Sequence, residues 1–479
     1  MRVRQAPPSH LSCDFNLCSR QVIARTGYLP LAMPFSYLLS LKAPMSIAPR
    51  FFNRTPAAPT LRNVGYNHTG HRRTVERFQQ VIRHHVEAGS AELQELAPRL
   101  LQLVADVRNL RTAWDYLDKE GGDAPGPNGL TYRALSTGEL IAMLRQLSTL
   151  ILDGEYRPGP SRAVKIQKLS GNGTRTLTVQ DIQDRVVARA CVQILQPLLR
   201  PQLRQTERTA SGHRQRLLAE LERHVLDEGR TLISRNDIRD AFDNVSQNRL
   251  FQTLPRLIPS PELCGLVQRC IRTDVGKGLR QGSPLSPLLL DVYLDHFLVR
   301  RWERDCPDSL LLKYVDDILI ACRTRTEAEV AAERLIRMLS NCGLSTKTDA
   351  QSSVFDLADS HPVEWLGMNL QLHGDELAIT PADRCWVSLE ASLVDVQGRP
   401  AASLLANQVV RGWVNQLGPC YESLNHHETY RRVREFAGVQ GFDELLSLNK
   451  FQQEWDAAYR SWQSMRDNRS SGTTSLSPI

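Results

Sequence analysis

The stretch "LLKYVDDILIAC", residues 311–322, sets two adjacent carboxylates, Asp316 and Asp317, inside an otherwise nearly apolar run. Leu311, Leu312, Tyr314 and Val315 lead into the pair, and Ile318, Leu319 and Ile320 follow it. A buried carboxylate without a partner is costly enough that it usually neutralises instead. Two like charges side by side push one another's pKa upward. The run is too short, and too β-branched near its centre, for a long helix. It reads as a β-hairpin with the two acids at its tip. Taken alone, Tyr-Val-Asp-Asp also fits an ordinary polar turn.

A third acid changes that balance. In "LISRNDIRDAFDNV", Asp237 follows the strand residues Leu232 and Ile233. A lone Asp at a strand end is ordinarily a cap or turn residue. A strand-end Asp and a hairpin-tip Asp-Asp converge, however, if their strands are neighbours in one sheet. Three close carboxylates repel, and divalent cations remove that penalty. Mg²⁺ takes oxygen ligands and completes its shell with water and substrate phosphates. Two such ions about 3.5–4 Å apart stabilise both the attacking and the leaving oxygen in phosphoryl transfer. The pattern is that of a nucleotide polymerase palm.

The surroundings follow from periodicity and breakers. Helical spacing begins near Arg72 and runs to about residue 120. "GGDAPGPNG", 121–129, is a loop, and "ELIAMLRQLSTLILDG" a helix ending in a turn. Residues 162–179 read as a hairpin about a Gly-Asn-Gly turn, with Lys168 and Arg175 flanking it. "DIQDRVVARACVQILQPLLRPQL" reads as an amphipathic helix stopped by Pro201. "RTLISRNDI", 230–238, reads as a strand and "SQNRLFQTL" opens a helix. Residues 281–305 form one helix behind a Gly-Ser-Pro entry, and the helix "TEAEVAAERLIRMLSNCGL" ends at Gly343. "VEWLGMNLQLHGDELAIT" reads as a hairpin turning at Gly374-Asp375. Beyond about 380 the chain is helical and contains Trp386, Trp413, Trp455 and Trp462. The fold class is α+β: mixed strands and helices over 160–380, then a helical unit.

Charge points to an anionic partner. The chain of 479 residues has a formal net charge of +7. Residues 157–216 hold twelve Lys/Arg against three acids, which suits a phosphate-tracking groove as well as a solvated basic surface. Ten cysteines are scattered with no C-x-x-C pair, so neither a zinc ribbon nor a disulfide scaffold is expected. Free thiols in a reducing, bacterial cytoplasm are expected instead. The most apolar early stretch is cut by Pro30, Pro34 and Lys42, so no membrane span is expected. Residues 1–71 read as a basic disordered extension, or as an over-extended gene start with Met33 or Met45 first, rather than as an organellar targeting segment. Residues 467–479 read as a disordered tail.

At this point a resemblance is explicit. The chain resembles a reverse transcriptase, in particular the group II intron-encoded and related bacterial enzymes, over about residues 120–370. "APGPNGLTYRAL" resembles an early block, with Asn128 where an Asp is usual. "VKIQKLSGNGTRTLTVQDIQDRVVARACVQILQPLL" resembles the fingers block, and "SGHRQ" a shortened form of the next. "NDIRDAFDNV", "GLRQGSPLSPLLLDVYLDHFL" and "YVDD" resemble motifs A, B and C. "GLSTKT" resembles motif D and "EWLGMNL" the primer-grip hairpin. The blocks stand in family order at plausible spacing.

The resemblance implies a right-hand polymerase with fingers, palm and helical thumb. The expected bounds are 72–236 for N-terminal helices and fingers, 237–379 for the palm, and 380–466 for a thumb or maturase-like region. Asp237, Asp316 and Asp317 would be the catalytic set with two Mg²⁺, Asp237 and Asp316 binding most directly and Ile238 offering its carbonyl. Phe242 would select deoxynucleotides by blocking a 2′-OH. Lys168 and Arg175 would bind the triphosphate. Gln281 and Gly282 would lie near the incoming nucleotide, and Lys347 would be an acid for the leaving pyrophosphate. Trp365, Leu366 and Gly367 would position the primer end. The implied function is RNA-directed DNA synthesis from an RNA template, a DNA or RNA primer and dNTPs. Two other roles fit the same sequence: an intron RNA-binding maturase, and a phage-defence reverse transcriptase. Neither an appended nuclease nor a ribonuclease H domain is expected in the about 100 residues after 380.

Overall fold

The computed structural model describes residues 68–120, 124–167, 174–204, 213–399 and 401–467. The expected N-terminal extension up to residue 67, the Gly-Asn-Gly turn with Lys168, and nearly all of the C-terminal tail lie outside these residues, whereas residues 68–71, expected in that extension, begin the first helix.

Three helices, α1 (His68–Ala88), α2 (Ser90–Ala105) and α3 (Val107–Glu120), open the described chain, followed by α4 (Thr137–Leu152). Ser136 caps α4 in a reciprocal capping box with Glu139. Strands β1 (Ser161–Gln167) and β2 (Thr174–Gln180) pair antiparallel. Helix α5 (Ile182–Leu199) then runs through the N-terminal bundle. It is not amphipathic as expected: residues from Ile182 to Leu199 are buried on nearly every side. Its polar Gln193 is satisfied internally, donating to Asn109 Oδ1 at 2.7 Å. A helix enclosed by α1, α2 and α3 needs no polar face.

Helix α6 (His213–Glu228) leads to β3 (Leu232–Asp237), α7 (Ala241–Asn244), α8 (Gln247–Thr253) and α9 (Pro261–Ile271). The helix expected at 281–305 begins later, as α10 (Leu285–Leu294). It passes through a π-helical stretch, Asp295–Val299, into α11 (Arg300–Asp305). The wider turn places buried Asp295 where Arg204 N donates to it at 2.6 Å and Arg300 Nε at 2.6 Å.

The expected acidic hairpin is β4 (Leu310–Tyr314) and β5 (Asp317–Cys322). Helix α12 (Arg325–Asn341) and β6 (Val354–Asp356) follow. These strands build a four-stranded antiparallel sheet in the order β4-β5-β3-β6. Successive residues of β5 alternate between two cores. Ile318, Ile320 and Cys322 face the core shared with the N-terminal helices and α10, whereas Leu319 and Ala321 face the core shared with the C-terminal helices. Burial on both faces explains why the strand reads as a continuous apolar run.

Strands β7 (Val363–Trp365), β8 (Met368–His373) and β9 (Glu376–Pro381) form a three-stranded meander. The single hairpin expected here is therefore two. The extra turn lies at Leu366 and Gly367, both with positive φ (53° and 84°), the backbone of a two-residue hairpin turn. The sequence offered only one Gly for it, so it reads as part of a longer strand. Helices α13 (Asp383–Val396), α14 (Ala402–Val414), α15 (His426–Val439) and α16 (Leu448–Asp467) complete the chain. Trp386 and Trp413 meet at 4.7 Å between ring centres inside the second core. Among the described residues the cysteines are free thiols, and no helix is long and apolar enough to cross a membrane.

Candidate active site

Strand pairing brings the three carboxylates together. β3 and β5 are neighbours, and Asp237 stands directly opposite Asp317 in register. Asp316 sits one residue earlier, in the turn, where its carbonyl accepts a hydrogen bond from Ile238 N at 2.9 Å. The turn is strained. Val315, a β-branched residue, has φ 57°, at the position that glycine usually fills in such hairpins.

The sheet edge continues past Asp237. Thr346 bridges Ile238, Arg239 N donates to Ser345 O at 2.8 Å, and Lys347 N donates to Asp237 O at 2.9 Å. This pairing delivers the Lys347 side chain, whose Nζ lies 2.8 Å from Asp237 Oδ1. Lys347 is thus counter-charge to Asp237 as well as its backbone neighbour.

Burial and mutual repulsion set the electrostatics. Desolvation, with repulsion from Asp237, pushes Asp316 up to about 6, against the pull of Lys347 and Lys313. Desolvation pushes Asp317 up to about 7, opposed first by Arg235 and then by Arg384, and reinforced by Asp237 and Asp316. Asp317 Oδ1 is buried without a hydrogen bond, and Arg235 Nε is 3.9 Å away. Among the described residues no three His, Cys, Asp or Glu side chains form a ready-made metal cage. The donor set nonetheless suits a hard cation: all-oxygen ligands, one of them buried and unbonded, in a site that disfavours bare negative charge.

The other expected residues are held by contacts of their own. Phe242 lies on α7, partly buried against the N-terminal core, and its carbonyl accepts from Leu279 N at 2.6 Å. Gln281 Nε2 donates to Asp243 Oδ2 at 3.0 Å, joining the 280–284 loop to α7. Gly282 has φ 106°, and a Cβ there would sit 3.1 Å from Thr178 O. The Gly282 loop therefore packs on β2, with Thr178 N donating to Gln281 O at 2.7 Å. Arg175 belongs to β2 and pairs with Ile166. Trp365 and Leu366 are core residues, 0 % and 5 % exposed, so only the turn backbone at Leu366-Gly367 reaches the surface.

Several site residues escaped the sequence reading. Arg235 precedes Asp237 by two in the same strand, so period 2 alone puts it on the same face. Lys313 is 8 % exposed and pairs with Asp291 of α10 at 2.7 Å, tying the hairpin to that helix. Arg384, paired with Glu364, comes from α13 and carried no local signal.

Comparison with known proteins concerns the same part of the chain. Residues 166–370 match the family model described as reverse transcriptase (RNA-dependent DNA polymerase). The chain is 23 % identical over 221 residues to a putative COX1/OXI3 intron 2 protein of Saccharomyces cerevisiae, covering 44 % of this chain and 25 % of the relative. It is 24 % identical over 189 residues to the group II intron-encoded protein LtrA of Lactococcus lactis subsp. cremoris, covering 36 % of this chain and 31 % of the relative. The match thus spans about a quarter to a third of the length of these relatives. The three carboxylates, the sheet that aligns them and the loops around them all fall inside residues 166–370, the segment that matches the reverse transcriptase family model.

Proposed function

We propose that the chain is an RNA-directed DNA polymerase that extends a primer 3′-OH with dNTPs on an RNA template. The observation that carries this reading is the register: Asp237 faces Asp317 across β3 and β5, with Asp316 beside it in the turn. Bound Mg²⁺ would offset the repulsion among these carboxylates and stabilise the attacking and leaving oxygens. Asp237 and Asp316 would hold the ions most directly, with Asp317 and the Ile238 carbonyl beside them. Lys347, held beside the acids at 2.8 Å from Asp237 Oδ1, would donate a proton to the leaving pyrophosphate.

Phe242 would sit under the sugar and exclude a 2′-OH, with Gln281 and Gly282 beside the incoming nucleotide. Lys168 and Arg175 would meet the triphosphate. The primer end would be steered by the Leu366-Gly367 turn rather than by the enclosed Trp365 ring. In this reading residues 72–236 are N-terminal helices and fingers, 237–379 the palm and 380–466 the thumb.

Primer extension on poly(rA)/oligo(dT) with Mg²⁺ tests the proposal. The wild type should make product, and Asp316→Ala should abolish it, since the carboxylates act as a unit. No product from pure wild-type protein, or equal product from Asp316→Ala, sinks the assignment. The likeness to a group II intron-encoded protein favours a second role in holding intron RNA. That role predicts that Asp316→Ala still promotes splicing of its RNA.

A further inference from the structure

We propose that an arginine cluster behind the four-stranded sheet is a second nucleic-acid surface, built for the phosphate backbone of a folded RNA. Alternation along β3 and β5 puts Asp237 and Asp317 on the same face as Arg235 and Leu319. Helix α12 packs against β3 and β5 in the core that takes Ile318 and Ile320, on the opposite face. Arg249 of α8, Arg301 of α11, and Arg334 and Arg337 of α12 gather on that far side.

These arginines are held in place but not neutralised. Arg249 Nη1 donates to Asn341 O at 2.5 Å, and Arg334 Nη1 to Asp305 O at 2.8 Å. The Arg249 and Arg301 guanidinium carbons each lie 5.8 Å from the Phe297 ring centre, on the π-helical stretch. Carbonyls and a ring orient a guanidinium without cancelling its charge. Among the described residues no carboxylate lies within 4 Å of Arg249, Arg301, Arg334 or Arg337. Elsewhere the chain routinely pairs its arginines, as at Arg108–Asp106 and Arg466–Glu222. The Asp305 carboxylate is engaged by Arg304 at 2.7 Å. Arg334 and Arg337 also line a cavity of about 350 Å³ with Asp305, Met338 and Asn341.

Four guanidiniums gathered around a single carboxylate that Arg304 already engages keep a net positive charge, which costs stability unless an anion screens it. Their spread over three helices suits a line of phosphates better than one small anion, and rigid forks suit phosphate oxygens. The carboxylates lie on the other face of the sheet, so this surface would hold RNA away from the reacting end. A hairpin RNA duplex is the natural occupant for a domain whose relatives are intron-encoded.

The test is binding, not polymerisation, so it stands whether or not the chain extends primers. The full chain in EDTA is titrated with a labelled RNA hairpin and with a DNA duplex of equal length, across salt concentrations. Arg301→Glu/Arg337→Glu should weaken RNA binding about tenfold near physiological salt and lower the salt slope by nearly 2, about 0.9 per lost phosphate contact. Arg301→Gln/Arg337→Gln should give a smaller loss in the same direction, which keeps the test open if charge reversal unfolds the protein. Exposed Arg431 and Arg434 of α15, changed together to Glu, serve as the matched control and should lose much less. Unchanged RNA affinity, or an equal loss in the control, overturns the surface. An equal loss for RNA and DNA overturns the assignment to RNA.

Discussion

At Asp317 two demands conflict. Its side chain is 16 % exposed and its carboxyl is pushed up to about 7, mainly by desolvation. The unfolded chain holds the same group at its ordinary value of 3.8. Between those values the folded state binds more protons, so stability falls as pH rises from about 4 to about 7. Asp317→Asn removes that loss. In EDTA near pH 8 it should be more stable than the wild type by on the order of 2–4 kcal/mol, the gain vanishing below about pH 4, as measured by urea unfolding. An advantage over the wild type no larger at pH 8 than at pH 4 would show that Arg235 and Arg384 already neutralise the site. The carboxylates were legible in the sequence because apolar neighbours made them conspicuous. The Lys347–Asp237 ion pair was not, because it depends on a bridge between segments more than 100 residues apart.

Elements, rather than side chains, join the β1–β2 hairpin to the sheet that carries the acids. The contact is the 280–284 loop, seated on β2 through Thr178 and on α7 through Asp243. Gly282 makes that seat possible on two counts, its φ of 106° and the 3.1 Å approach to Thr178 O. Gly282→Ala should cost about 1–3 kcal/mol in urea unfolding, from strained backbone and a displaced carbonyl. A neutral substitution would mean that the loop moves freely on β2. The sequence marked Gly282 as a place of close backbone approach but not what approaches it, which is the chain itself. Asn128 is similar. Its backbone N–H donates to Asp181 Oδ1 at 3.0 Å and its amide to Gln183 Oε1 at 3.0 Å. An Asp there would set a second carboxylate near Asp181 and lose the donor, which gives a local reason for the Asn.

For the molecule as a whole, helix α6 is the link between the sheet and the C-terminal helices. It packs on β4, β5 and α16. There Glu222 is raised to about 7 by desolvation, against the pull of Arg466 Nε at 2.9 Å, with Glu422, Glu376 and Asp227 adding repulsion. The folded state again holds the extra proton, so this junction loosens as pH climbs from about 4.5 to about 7. Glu222→Gln should raise the melting temperature near pH 8 and leave it equal or lower near pH 5, by calorimetry. The opposite ordering would make Glu222–Arg466 a net stabilising pair. Mixed fold class, the acidic hairpin and the helical C-terminal region were all readable from periodicity. The extra turn of the meander, the π-helical stretch and the burial of α5 were not. Each is decided by packing partners distant in the chain rather than by local pattern.

The alternation of β3 and β5 between two cores has a mechanical side. A strand clamped from both faces is a stiff plate, and the helices on either side cannot shift past one another without loading it. The carboxylates sit at the plate's end, on neighbouring strands that lean in register. A twist applied by the C-terminal helices against the N-terminal bundle would therefore load the two strands that carry Asp237 and Asp317, and their stiffness would hold the facing pair in register.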